Sequence, residues 1–97
     1  MRYEIILARE AVQDLRRLRA NIRSAVKAAM EKHLRHEPTK VGRSRIKRLR
    51  GLSRPQYRLR VGEARVFYDV TEGQVEILAI VSKEDAADWL DEEGEPE

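Results

Sequence analysis

Residues 56–70, QYRLRVGEARVFYDV, decide the architecture. Gly62 and Glu63 interrupt two runs of alternating apolar and cationic residues, and a two-residue loop containing glycine is the shortest route from one strand into its antiparallel neighbour. With that loop in place, Val61 stands opposite Ala64, Arg60 opposite Arg65, Leu59 opposite Val66, Arg58 opposite Phe67 and Tyr57 opposite Tyr68. Successive strand residues alternate faces, so Tyr57, Leu59, Val61, Val66 and Tyr68 share one side, while Arg58, Arg60, Arg65 and Phe67 share the other. The first set is a core face. The second sets like charges across from one another, a cost that a bound anion would offset.

The pattern extends in both directions from this hairpin. A third β-rich run, Val75 to Val81, follows a turn at Glu72-Gly73, which predicts an antiparallel meander over Gln56 to Val61, Ala64 to Val70 and Val75 to Val81. Upstream, residues 3–8 read as a short strand. From Arg9 the apolar spacing becomes helical, with Ala11, Val12, Leu15 and Leu18 on one face. Asn21 is positioned to cap a second helix, in which Ile22, Val26, Ala29, Met30 and Leu34 recur until Glu37-Pro38 stops it. Residues 39–56 read as a connector with one short element at most. Ser82 and Asp85 form a capping-box pattern before a last short helix carrying Ala86, Trp89 and Leu90. The order β-α-α-β-β-β-α predicts an α+β fold: a small antiparallel sheet with an N-terminal helix hairpin packed on one face and a short C-terminal helix. One domain is expected over residues 1–90, with an acidic tail, residues 91–97, that frays.

Composition limits what the fold can do. Ninety-seven residues suffice for one domain, 41% hydrophobic and 38% charged. The absence of cysteine removes disulfides, thiolate metal sites and cysteine nucleophiles together. No apolar run reaches the ~20 residues of a membrane span, and the short apolar stretch before Arg9 does not make a secretory signal, so a cytoplasmic protein is expected. There is no glycine-rich phosphate loop, nucleophile elbow or carboxylate pair, which leaves the common metabolic enzyme classes without support. His33 and His36 lie three apart with no companion ligands and are read as surface residues; neither a metal nor a cofactor is expected.

The net charge of +3 conceals a strong separation. Residues 40–65 carry 10 basic side chains against 1 acidic, whereas residues 84–97 carry 0 against 8. A cationic concentration of that density matches a phosphate backbone. Arginine suits phosphate because its planar fork donates two parallel hydrogen bonds and stays protonated, and Phe67 beside the arginines offers a ring on which a base can stack. The competing reading is structural: the arginines pair with Asp69, Glu76 or the acidic tail, and Phe67 is core. A second basic group, Arg43, Arg45, Lys47, Arg48 and Arg50, extends the same electropositive surface.

These residues resemble a known family. The run Ile46-Lys47-Arg48-Leu49-Arg50-Gly51-Leu52, followed by Tyr57-Arg58-Leu59-Arg60-Val61-Gly62-Glu63-Ala64-Arg65-Val66-Phe67-Tyr68, is similar to the central signature of the RelE/ParE superfamily of type II toxins. The resemblance implies a RelE-like fold and, on the favoured branch, a ribosome-dependent mRNA endonuclease that inhibits translation. Its catalytic residues are then Arg58, Arg60 and Arg65, joined by Lys83, with Arg43, Arg45, Lys47, Arg48, Arg50 and Phe67 binding RNA. After the last strand the chain reads Ser82-Lys83-Glu84-Asp85 where many RelE members carry a basic run and a later tyrosine. On that resemblance, either acid/base work falls to Lys83 or Tyr68, or the ribosome and substrate contribute more than usual, or the chain is not a nuclease. The alternatives are a ParE-like inhibitor of DNA gyrase and a degenerate member that only binds RNA or its antitoxin. Each implies a small antitoxin protein as partner, and the first also implies mRNA on the ribosome. No membrane and no small-molecule cofactor enters any of them.

Overall fold

A computed structural model describes residues 1–42 and 45–97. In chain order the elements are β1 (Glu4–Leu7), α1 (Arg9–Arg17), α2 (Ala20–Leu34), β2 (Ile46–Arg48), β3 (Leu52–Arg54), β4 (Tyr57–Val61), β5 (Ala64–Thr71), β6 (Gln74–Ser82), α3 (Ala86–Glu93) and β7 (Glu95–Pro96). The hairpin of β4 and β5 has the register read from the sequence, from Tyr57 opposite Tyr68 to Val61 opposite Ala64. Gly62 at the tip has a φ of +56°, which a side chain would resist in this two-residue loop.

The main sheet is ordered β1-β6-β5-β4-β2. It is mixed, because β1 runs parallel to β6, and the expected all-antiparallel sheet is corrected on that point. The two helices that follow β1 cross one face of the sheet, so the chain enters the meander from the far side and the N-terminal strand takes the open edge of β6. Between β5 and β6 a bulge places Phe67 opposite Ala79 and Tyr68 opposite Ile77, with Leu78 as the extra residue.

The core lies between the helices and one sheet face. Leu59, Val66, Tyr68, Val75 and Ile77 are buried against Ala11, Val26, Met30 and Leu34. Full burial of such side chains contributes about 1.5–3 kcal/mol each before entropy is set against it. Asp14 ties α1 to the sheet: its Oδ2 accepts the Ile80 N–H at 2.9 Å, and burial holds its carboxyl above the usual carboxylate range. The Arg23 guanidinium donates to the carbonyls of Leu15 and Leu18, at 3.2 and 2.7 Å, closing the end of α1 from within α2. The expected cap at Asn21 does not form. The link between the helices is so short that α2 already starts at Ala20, leaving Asn21 inside the first turn.

Two segments are more ordered than composition suggests. The connector over residues 39–56 contains β2 and β3, and the C-terminal residues expected to fray continue α3 to Glu93 and then pair with β3 as β7. Arg54 is the reason: its guanidinium lies 3.4 Å from Asp69, 3.3 Å from Glu76 and 3.9 Å from Glu95. Ser82 accepts the Asp85 N–H through its hydroxyl at 3.3 Å, although the helix itself begins one residue later. Among the described residues no helix is long and apolar enough to cross a membrane.

Candidate functional site

The face of the sheet away from α1 and α2 is where the charge gathers. Arg60 and Arg65 are directly paired across β4 and β5, Arg58 lies two residues along from Arg60, and β2 sets Lys47 opposite Arg58. The Arg60 N–H donates to the Arg45 carbonyl at 2.8 Å, extending the row onto a third chain segment. Lys83 follows directly after β6, fixed by its backbone N–H on the Glu63 carbonyl at 2.7 Å. Arg45, Arg60, Gly62, Glu63, Arg65 and Lys83 surround an open cavity of about 350 Å³. Four cationic side chains thus converge with Glu63 as the single acidic one.

The arginines of this group are held differently. Arg65 is 9% exposed, and its Nη1 donates to the Gly62 and Ala64 carbonyls at 2.8 and 3.0 Å, so the hairpin fixes its plane. Arg60 is exposed. Arg58 is half-buried, with an Nε that is buried and has no hydrogen-bond partner. Its guanidinium is held below the usual arginine range by burial first, then by Arg65 and Arg60. The unmet donor and the two neighbouring like charges carry a cost that an anion bound at the exposed ends of these guanidiniums would offset.

The structural alternative, in which the acidic residues neutralise these arginines, is not what the protein does. Asp69, Glu76 and Glu95 all pair with Arg54, and among the described residues no ion pair reaches Arg58, Arg60, Arg65 or Lys83. That device was missed in the sequence, though a signal was there: the Glu72-Gly73 turn places Asp69 opposite Glu76, and such a carboxylate pair calls for a cation.

The other expected site residues divide. Arg45 and Lys47 share the cationic face, and Arg50 lines a neighbouring cleft with Lys47, Leu49, Leu52 and Leu90. Arg48 belongs to the opposite face: it pairs with Tyr57, stands 5.3 Å over that ring, and donates to the Leu49 and Gln56 carbonyls. Arg43 lies outside the described residues. Phe67 offers no ring to a base, because it is fully buried and stacked on Trp89 at 5.0 Å. Tyr68 is withdrawn from any proton transfer in the cavity. It sits in the core, donates its hydroxyl to the Pro38 carbonyl at 2.7 Å, and is pushed well above the usual tyrosine range by burial. Glu63, which sequence reasoning passed over as a turn residue, faces the cations instead. Among the described residues no three of His, Cys, Asp or Glu gather as metal ligands.

Such a site can hold a phosphodiester by several charge-assisted hydrogen bonds and compensate negative charge that develops on it. Lys83 and Glu63 are the side chains there suited to moving a proton, since a guanidinium does not give one up readily.

The fold and this cleft define a class: a small α+β scaffold with a cationic sheet face. Solved structures share the fold. The toxin in the RelE–RelB complex of Pyrococcus horikoshii aligns with a TM-score of 0.69 at 23% identity, over 86% of this chain and 97% of that one. The RelBE2 toxin–antitoxin complex of Mycobacterium tuberculosis gives 0.66 at 26% identity, over 84% and 92%. A mutant of the Escherichia coli toxin RelE in the free state gives 0.68 at 20% identity, over 90% of each chain. No curated protein sequence matches the chain significantly. The family model described as the ParE toxin of type II toxin–antitoxin systems, parDE, matches residues 5–87. The chain belongs to that family, within the RelE/ParE superfamily, and is a type II toxin that is RelE-like in structure.

Proposed function

We propose that this toxin is a ribosome-dependent mRNA endonuclease whose cleft binds the scissile phosphate. The observation that supports the reading is the group of Arg58, Arg60, Arg65 and Lys83, which make no ion pair among the described residues, with Arg60, Arg65 and Lys83 lining one cleft and Arg58 two residues along β4 from Arg60. In the reaction the 2′-oxygen of a nucleotide attacks its own 3′ phosphorus, the bond to the 5′-oxygen breaks, and the proton lost from the 2′-hydroxyl is balanced by one gained at the leaving oxygen. Arg58, Arg60 and Arg65 hold the phosphate and compensate the charge of the pentacoordinate state, and Lys83 assists the leaving group. Arg45, Lys47 and Arg50 guide the flanking strand. A cognate antitoxin is the expected partner, since the P. horikoshii and M. tuberculosis relatives are complexes of toxin with antitoxin. An acidic, amphipathic segment that folds on binding matches the surface it must cover.

The second reading is inhibition of DNA gyrase, favoured by the match to the ParE family model. The two separate in one experiment: brief induction in a bacterial host, with message 5′ ends mapped for the wild type and for the Arg58→Ala, Arg60→Ala, Arg65→Ala triple variant. New ends inside translated frames, absent from the variant, are expected. Growth arrest with DNA damage and intact message transfers the assignment to gyrase, and no arrest identifies a member that only binds.

A further inference from the structure

The cationic cleft does not end at Arg45. That side chain lines a second cavity of about 250 Å³, with Lys32 and His33 from the last turn of α2 and Lys40 from the segment that follows it. The loop is anchored at that place, because the Tyr68 hydroxyl holds the Pro38 carbonyl at 2.7 Å, the Lys40 N–H meets the Glu37 carbonyl at 3.2 Å, and the Gly42 N–H meets the Ile46 carbonyl at 3.0 Å. His33 registers the neighbouring charges: its imidazole is held below the usual histidine range by burial first and then by Arg45 and Lys32. Among the described residues lining this cavity the one acid, Glu37, pairs with Lys40 at 3.6 Å.

Lys32 and His33 also suit the negative end of the helix dipole, a role that needs no ligand. The dipole does not account for Arg45, which comes from outside the helix and adds like charge to the same depression, and Lys40 stands beside it in an exposed pair with Glu37 that a phosphate can displace. We propose that Lys32, His33, Lys40 and Arg45 form a second phosphate-binding subsite, so that single-stranded RNA held at Arg58, Arg60 and Arg65 runs on past Arg45 over the C-terminal end of α2. The inference rests on the RNA-binding reading of the main cleft and extends it to a directed track. RNA is the occupant the surface favours, because Arg45 lines both depressions and a strand presents phosphates at regular spacing along such a path.

The test is salt-dependent binding of the full chain to non-cleavable 2′-O-methyl RNA, comparing a dinucleotide with a strand of about ten nucleotides. The Lys32→Ala, Lys40→Ala double variant is expected to flatten the log–log salt slope for the longer strand by about 1.4, two contacts at ~0.7 each, and by less than half as much for the dinucleotide. A thermal melt confirms that the variant is folded, which two exposed lysines make a simple control. Equal flattening on both lengths, an unchanged slope on the longer strand, or no binding of that strand at all each overturns the subsite. The message-cleavage experiment above is scored separately: new 5′ ends with an unchanged slope sink the track and leave the nuclease assignment standing, and the reverse outcome sinks the nuclease alone.

Discussion

The Phe67 ring lies flat against the Trp89 indole, centroids 5.0 Å apart and planes within 5°. The contact fastens α3 to the sheet face opposite the main core, next to the arginines. The indole N–H adds a bond to Glu10 at 3.3 Å, so one side chain joins α3, α1 and β5.

Replacing this indole tests how far α3 depends on it. Trp89→Ala is expected to cost about 2–3 kcal/mol in urea unfolding, from lost burial and stacking on a half-exposed side chain. A loss under about 0.5 kcal/mol, the range of ordinary surface substitutions, means that α3 is held by β7 and Arg54 instead.

The cationic pair Arg60 and Arg65 should separate function from stability. Arg60 is exposed and repels its neighbours, so Arg60→Gln is expected to raise stability by about 0.5 kcal/mol at low salt, with the gain fading as salt screens it. Arg65→Ala removes the donor to two hairpin carbonyls and is expected to cost about 1–2 kcal/mol at any salt. Both should weaken toxicity. Denaturation at two ionic strengths checks the first pair of expectations, and a growth assay the last.

Tyr68→Phe deletes one hydroxyl and leaves the Pro38 carbonyl without its partner in the core. A loss of about 1–2 kcal/mol is expected, with no effect on the chemical step of message cleavage beyond that of the lowered stability. A cleavage defect that persists after correction for the folded fraction returns Tyr68 to the list of proton-transfer groups.

Asp69 gives a pH signature. Burial raises its carboxyl above the usual range, against the lowering by the Gln56 N–H and Arg54. Its folded value therefore exceeds its unfolded one, the native state binds the proton more tightly, and stability contributed by this group falls as pH rises through that window. Asp69→Asn keeps the acceptor for the Gln56 N–H and cannot ionise. The stability of this variant relative to wild type should thus improve as pH rises above the ordinary aspartate value of about 4. A difference that moves the other way shows that the Arg54 ion pair outweighs burial.

Much of the site was readable because a two-residue turn leaves no freedom of register. Gly62 and Glu63 sufficed to place Arg58, Arg60 and Arg65 on one face and Leu59, Val66 and Tyr68 on the other. What alternation cannot tell is what covers a face. Alternation puts Phe67 on the side of the arginines, yet its exposure depends on Trp89, 22 residues away in sequence. Arg48 departs from the expected cationic surface for a related reason: a basic run in sequence suggests one surface, whereas β2 alternates, sending Lys47 toward Arg58 and Arg48 toward Tyr57. The parallel placement of β1 and the pairing of β3 with β7 are long-range choices between short segments, and local pattern carries little of either.

The triple pairing of Arg54 has a consequence for encounter. Arg65 and Asp69 sit four residues apart on β5, about 13 Å along the strand, so the bound carboxylates occupy one end of the hairpin and the open cations the other. The hairpin consequently carries a charge asymmetry along its strands. If the nuclease reading holds, that asymmetry would turn the hairpin tip toward an approaching polyanion before contact, so the productive orientation would be selected at long range, where salt acts most strongly.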